Sequence, residues 1–193
     1  MIHGHLPRLA AAQYQGLAYV HWVFTIKERD RGWLTQVFHL QFREILLHTA
    51  IRYCVSCPAY CLMPDHIHLL LLGHSPATDQ KNAVRFLRTH AGSLLMPTRF
   101  QKQPYDHVIQ EADRAPALFE RTVNYILANA IGQESTADWR SYAFLGALLP
   151  GFLDLDVRAA DFWERFWKFH MSLVERHALT SAATLPIAIA FVP

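Results

Sequence analysis

Charge is scarce in this chain. Of its 193 residues 18% are charged and 52% hydrophobic. That excludes a disordered, self-repelling chain and leaves enough apolar side chains for one sizeable core. No apolar stretch reaches the roughly 20 residues of a membrane-spanning helix. Residues 1–16 lack the long apolar core of a signal peptide, so a cytoplasmic protein with no membrane partner is expected. Cysteine is also rare, and Cys54, Cys57 and Cys61 stand close together. An odd number without a secretion signal argues against a disulfide framework. No internal repeat or low-complexity segment is present. A formal net charge of +2 and a pI near 8.5 are too mild to announce a nucleic-acid partner.

The most informative segment is Met63-Pro64-Asp65-His66-Ile67-His68, followed by Leu69 to Leu72 and closed by Gly73. It reads as a tight turn feeding a buried strand. Side chains alternate along a strand, so His66 and His68 share one face and Ile67, Leu69 and Leu71 the other. Paired imidazoles are costly to bury without partners, and a divalent metal is the obvious partner. The spacing alone leaves two ordinary histidines at a strand end as the other reading. Cys54-x-x-Cys57 joined to the His pair could form a zinc site, but zinc patterns use longer spacers, and small buried hydrophobes suit these cysteines better. His3 and His5, in what reads as a loose tail, carry little weight.

The layout is strand Leu17–Lys27, helix Trp33–Arg52, strands Val55–Met63 and His66–Leu72, helix Ala83–Met96, strand Pro104–Ile109, and a helix from Pro116 to about Gly132. The first six elements have the split ferredoxin-like order. On the last helix Phe119, Val123, Ile126 and Ala130 form an apolar stripe, while Tyr125 and Asn129, four apart, share a face near Arg121. A solvent-facing tyrosine is the plain reading of that position. Lys81, Arg85, Arg88, Arg99 and Lys102 occur with no acidic residue between them. This is either a phosphate-binding stripe or a solvated face. Further on, Phe162, Trp163, Phe166, Trp167 and His170 recur at helical spacing, as a core-facing stripe or a platform for bases.

Three motifs in order carry a family resemblance. Ala59 to Leu71, with its His66-x-His68, resembles the signature of single-tyrosine HUH transposases, closest to the REP-associated tyrosine transposases. Pro104-Tyr105-Asp106-His107-Val108-Ile109 resembles the family's Tyr-Asp-His strand, and Asn124-Tyr125-Ile126-Leu127-Ala128-Asn129 its catalytic-tyrosine helix. The similarity spans roughly residues 17–140. It implies that Tyr125 is the nucleophile, that His66, His68 and Asn129 hold Mg²⁺ or Mn²⁺, and that Lys81, Arg85, Arg88, Arg99, Lys102 and Arg121 contact DNA. Imidazole ligation alone would also allow zinc. Tyr60, Tyr105 and Tyr142 are rival nucleophiles that lack the following polar residue in register. The chain departs from the family at Asn129-Ala130-Ile131-Gly132-Gln133-Glu134, where relatives have Asn-Pro-Val-Arg-Ala-Gly, and at Gln110, where a basic residue often stands.

The resulting expectation is an α+β protein: a tail over 1–16, a ferredoxin-like βαββαβ domain with an antiparallel sheet over 17–140, and a helical extension over 141–193 packed on it. The expected activity is metal-dependent nicking and rejoining of single-stranded DNA near hairpins through a 5′-phosphotyrosine, by a monomer or homodimer. The alternatives are a non-catalytic hairpin-binding descendant of the fold and a small metallohydrolase acting on nucleotides through the His pair.

Overall fold

The structure, a computed structural model, describes residues 9–109, 116–131 and 137–183. The readings at His3 and His5, Gln110, Gly132 to Glu134 and the apolar end Leu185–Pro193 lie outside these residues. Among the described residues the order is β1 (Tyr19–Thr25), α1 (Gln36–Tyr53), β2 (Val55–Met63), β3 (His66–Gly73), α2 (Gln80–Ser93), β4 (Tyr105–Ile109), α3 (Pro116–Ala128), β5 (Leu145–Leu148) and α4 (Phe162–Ala183). The strands form one sheet in the order β4-β1-β3-β2-β5, every neighbouring pair antiparallel. The first four strands and two helices are the expected ferredoxin-like unit. β5 adds an edge strand from beyond residue 140.

Alternation along the strands divides the core in two. Val20, Trp22 and Phe24 of β1, Ile26 just past it, and Ile67, Leu69 and Leu71 of β3 pack under α1 and α2. Leu70 and Leu72 of β3 and Ile109 of β4 pack instead with Phe119, Val123 and Ile126 of α3 and Phe162 and Phe166 of α4. Helices therefore cover both faces of the sheet. This explains why all of β2, and all of β3 beyond His66, are buried.

Local chemistry sets the helix ends. Thr35 caps α1 by accepting from the Phe38 amide at 3.1 Å, and Asp79 caps α2 by accepting from the Asn82 amide at 3.0 Å. The Asp79 cap starts α2 three residues before the expected Ala83. Gln80, fully buried, then bonds Trp22 Nε1 at 3.1 Å and the Ala18 carbonyl at 2.6 Å, seating α2 on β1. Gly73 ends β3 where a Cβ would stand 1.9 Å from the Gly16 carbonyl oxygen, so only glycine fits that crossing. The aromatic stripe of α4 faces the core: Phe162, Phe166 and His170 are buried, and Trp163 and Trp167 pack on Phe119.

Candidate active site

β3 delivers the two histidines as alternation requires. His66 and His68 lie on the α3 face, and their Nε2 atoms meet at 2.9 Å. Each ring is held from behind. Asp65 Oδ1 lies 2.6 Å from His66 Nδ1, and Arg29 Nη1 donates to the other carboxylate oxygen at 3.1 Å. His68 Nδ1 lies 3.0 Å from His21 Nε2 on β1, with the two rings stacked. The Asp65 carboxylate selects the His66 tautomer with the proton on Nδ1, and His21 can accept from His68 Nδ1 in the same way. Both Nε2 lone pairs then converge on one point. Burial, with His21 and His66 nearby, pushes His68 down to about 3, and burial pushes His21 down to about 4, His107 adding to it. Both rings are neutral near pH 7, the form that ligates metal.

This donor set fits a divalent cation. Two facing lone pairs repel unless a cation or a proton lies between them. An octahedral Mg²⁺ with ligands at about 2.0–2.1 Å sets neighbouring donors about 3 Å apart, close to the observed separation. The orienting carboxylate behind His66 is the usual partner of a metal-ligating histidine.

α3 and the turn after it bring Tyr125 and Asn129 to this point. Its buried stripe is the expected one, Phe119, Val123, Ile126 and Ala130, and Tyr125 remains 56% exposed. The Tyr125 ring centroid is 5.6 Å from that of His68 and 5.9 Å from that of His21, edge-on to both. Asn129 donates Nδ2 to the Tyr125 carbonyl at 2.7 Å, and its side chain lies near enough to His68 to favour the protonated ring, against the larger effect of burial. The Asn129 side chain therefore stands beside the His pair. Tyr125, the two histidines, His21, Arg29, Tyr105 and His107 line one cleft of about 580 Å³.

Two of the three rival tyrosines lie away from this cleft. Tyr60 is buried on the opposite face, its hydroxyl bonded to His39 and Arg43, and Tyr142 is buried with its hydroxyl on the Leu62 carbonyl. Tyr105 shares the cleft with Tyr125. The Cys57 thiol is buried against the Ala59 carbonyl and the Cys61 thiol against Met63, and among the described residues neither joins the His pair in a three-ligand cluster.

Lys81, Arg85, Arg88, Arg99 and Lys102 come together in a second cleft of about 630 Å³ between α2 and the segment before β4. They do not play equal parts. Arg85 is exposed. Lys81 lies 4.1 Å above the Tyr14 ring. Arg88 donates to the Gln101 and Lys102 carbonyls and spans the rings of Phe24 and Phe100, so it also holds the cleft wall. Trp22 and Asp106 line this basic cleft, whereas His21, Tyr105 and His107 line the other. The clefts therefore open on opposite faces of the sheet and adjoin along β4, its edge strand. Arg121 is exposed one turn ahead of Tyr125 and lines neither cleft.

Sequence reasoning missed His21 and Arg29, named His107 only within the Tyr-Asp-His strand without a role at the site, and took Asp65 only as a turn former. Period-two spacing puts His21 on one face of β1. Which strand it faces depends on the pairing Val23↔His68, a long-range register no local pattern encodes.

The family model described as "Transposase IS200 like" matches residues 14–110, half of the chain. The chain belongs to the IS200-like transposase family. The matched span contains the His pair and the basic cleft, and ends before α3. Among solved structures the chain is similar to a REP-associated tyrosine transposase bound to a REP hairpin, with a TM-score of 0.61, 14% identity, and coverage of 74% of this chain and 81% of that one. It is also similar to a candidate transposase from Deinococcus radiodurans R1, with a TM-score of 0.42, 17% identity, and coverage of 62% and 97%. The first likeness establishes the shared fold. No curated protein matches the sequence. Among the described residues no helix is long and apolar enough to cross a membrane.

Proposed function

We propose that this protein nicks and rejoins single-stranded DNA beside hairpins, with Tyr125 as nucleophile and His66, His68 and Asn129 as ligands of Mg²⁺ or Mn²⁺. The observation that carries the reading is the Tyr125 ring lying against His68, 5.6 Å between centroids, within the chain that supplies the His pair. A tyrosine on a helix of the same chain needs no partner subunit to reach the scissile phosphate, so one chain suffices for the nick.

The Tyr125 hydroxyl loses its proton to solvent and attacks the phosphorus, the P–O3′ bond breaks, and the 3′-oxygen departs as a hydroxyl with a proton from solvent. The new tyrosyl phosphodiester conserves the bond energy, and attack by a 3′-hydroxyl reverses the step and frees the tyrosine. The bound cation would polarise the phosphate and offset charge that builds in the transition state. Asp65 and His21 fix the two imidazoles. Asn129 ties the ligand set to the backbone carbonyl of the nucleophile, so tyrosine and ligands keep their relative position.

Basic side chains at Lys81, Arg85, Arg99 and Lys102 suit the flanking phosphates. Because the two clefts adjoin along β4, a strand held in the basic cleft would pass over that edge to reach Tyr125. Arg121 is suited to the strand leaving on the α3 side.

The test is incubation of the full chain with end-labelled single-stranded hairpin DNA. A metal-dependent nick with label retained on protein from the 3′ side of the cut supports the reading. A metal-dependent nick without any protein–DNA adduct favours a His-pair hydrolase, and hairpin binding without a nick favours a binding protein.

A further inference from the structure

A second group of ligand-bearing side chains lies at the other end of β3, away from the His66–His68 pair. Cys54, His74 and His177 each direct one ligand atom to a common point, all three within 4.8 Å of one another. Six residues of chain along and just past β3 separate His68 from His74, on the order of 20 Å at about 3.3 Å per residue. The two sites are distinct.

Three elements meet here. Cys54 ends α1 in the left-handed region, φ 52°, and starts the turn into β2. Its carbonyl accepts the His74 amide at 3.0 Å and the Thr78 hydroxyl at 2.8 Å, so the first two ligands are held by backbone and loop contacts. His177 comes from α4, its ring stacked on that of His74 with centroids 5.1 Å apart.

His74 calls for an explanation. It is buried, 4% exposed, and neither ring nitrogen makes a hydrogen bond of normal geometry. The carbonyls of His74 and Val55 lie near enough to favour its protonated form, but burial outweighs them and the ring is held down to about 4. A neutral imidazole buried with two open nitrogens is costly unless something occupies one of them. The nearest candidates are the Cys54 sulfur and the His177 ring. Burial pushes the Cys54 thiol up, and the Ser75 side chain, hydrogen-bonded to it, offsets part of that.

We propose that Cys54, His74 and His177 bind Zn²⁺, with water in the fourth position. One thiolate and two imidazoles form a mixed sulfur–nitrogen set that suits zinc and does not suit Mg²⁺ or Ca²⁺, which prefer oxygen. Tetrahedral zinc needs ligands closer together than 4.8 Å, and the partly exposed His177 and Cys54 side chains have room to move in. On binding, the Cys54 proton leaves to solvent and the ion fastens α4 to the α1–β2 and β3–α2 junctions.

The test uses the full chain stripped of metal with a chelator, then titrated with Co²⁺ and displaced by Zn²⁺. The His66–His68–Asn129 set contains no sulfur, so a thiolate-to-cobalt charge-transfer band reports this site alone. The expected result is a sulfur band with intense tetrahedral visible bands, unchanged in His66→Ala/His68→Ala and absent in Cys54→Ser. In the His66→Ala/His68→Ala background, Zn²⁺ should raise the unfolding midpoint, and adding His177→Ala to that background should leave the midpoint unmoved by Zn²⁺. His177→Ala, at a half-buried helix position, should weaken Zn²⁺ binding by more than the roughly 10–100-fold that an outer-shell partner is worth. Absence of the sulfur band in the wild type, its persistence in Cys54→Ser, or an unchanged Zn²⁺ affinity in His177→Ala would each overturn the proposal.

Discussion

Asp65 and His66, neighbours at the β2–β3 turn, are joined side chain to side chain, Oδ1 to Nδ1 at 2.6 Å. The contact leaves the His66 Nε2 lone pair facing His68. Asp65→Asn keeps the shape, but an amide can present its NH₂ and lose the tautomer selection. Mn²⁺ affinity should fall about 10–100-fold by calorimetric titration. The lost partly exposed ion pair with Arg29 should cost no more than about 1 kcal/mol. Wild-type Mn²⁺ affinity in this variant would mean that the carboxylate does not orient the ligand.

His66→Ala or His68→Ala should abolish Mn²⁺-dependent cleavage and leave hairpin affinity within a few-fold of wild type, because phosphate contacts elsewhere supply most of the binding energy. Cleavage rate and gel-shift affinity measured on the same preparations separate the two effects. Full cleavage by the double variant would remove the metal site.

In the basic cleft, Arg85 and Arg88 should behave differently. Exposed Arg85→Ala should lower DNA affinity and reduce the slope of log K against log salt by roughly one unit, with little change in stability. Arg88→Ala also removes the exposed bonds to the Gln101 and Lys102 carbonyls, which water can replace, and should destabilise the fold by about 0.5–1.5 kcal/mol. Equal salt slopes for Arg85→Ala and wild type would make this face ordinary solvated surface.

Buried neutral histidines make stability depend on pH. Burial holds His39 near 4, helped by Arg43 and Arg158, and holds His170 near 4 with help from His74. In the unfolded chain a histidine titrates near 6.5. Above that value neither state takes up a proton. Below it the unfolded state does so first, so stability falls as pH drops from about 6.5 toward 4, by up to about 1.4 kcal/mol per pH unit for each such residue. Urea unfolding with chelator present should show this slope, and His39→Gln should remove one residue's share. A midpoint constant from pH 7 to 5 would contradict the burial argument.

Much of this was legible because it is local. The His66-x-His68 alternation, the α3 stripe that leaves Tyr125 and Asn129 outward, and the strand–helix order all follow from periods of two and 3.6 residues. β5 was not legible, since Leu145 to Leu148 is four residues long with a glycine inside and depends on pairing with β2. Nor was the role of His21, which depends on the β1–β3 register. Lys81 and Arg85 read as one stripe with Arg88. Only the packed structure reveals that Arg88 is bonded to the chain that forms the cleft wall.

Tyr125→Phe tests the central claim most directly, because it removes one oxygen from a half-exposed ring and leaves the packing on His68 and His21 in place. The variant should fold, bind Mn²⁺ and bind hairpin DNA as the wild type does, and form no covalent adduct. In the wild type, peptide mapping of the adduct should recover a 5′-phosphotyrosine in the peptide containing Asn124-Tyr125-Ile126. An adduct that persists in Tyr125→Phe, or that maps to Tyr105 in the same cleft, would contradict the assignment.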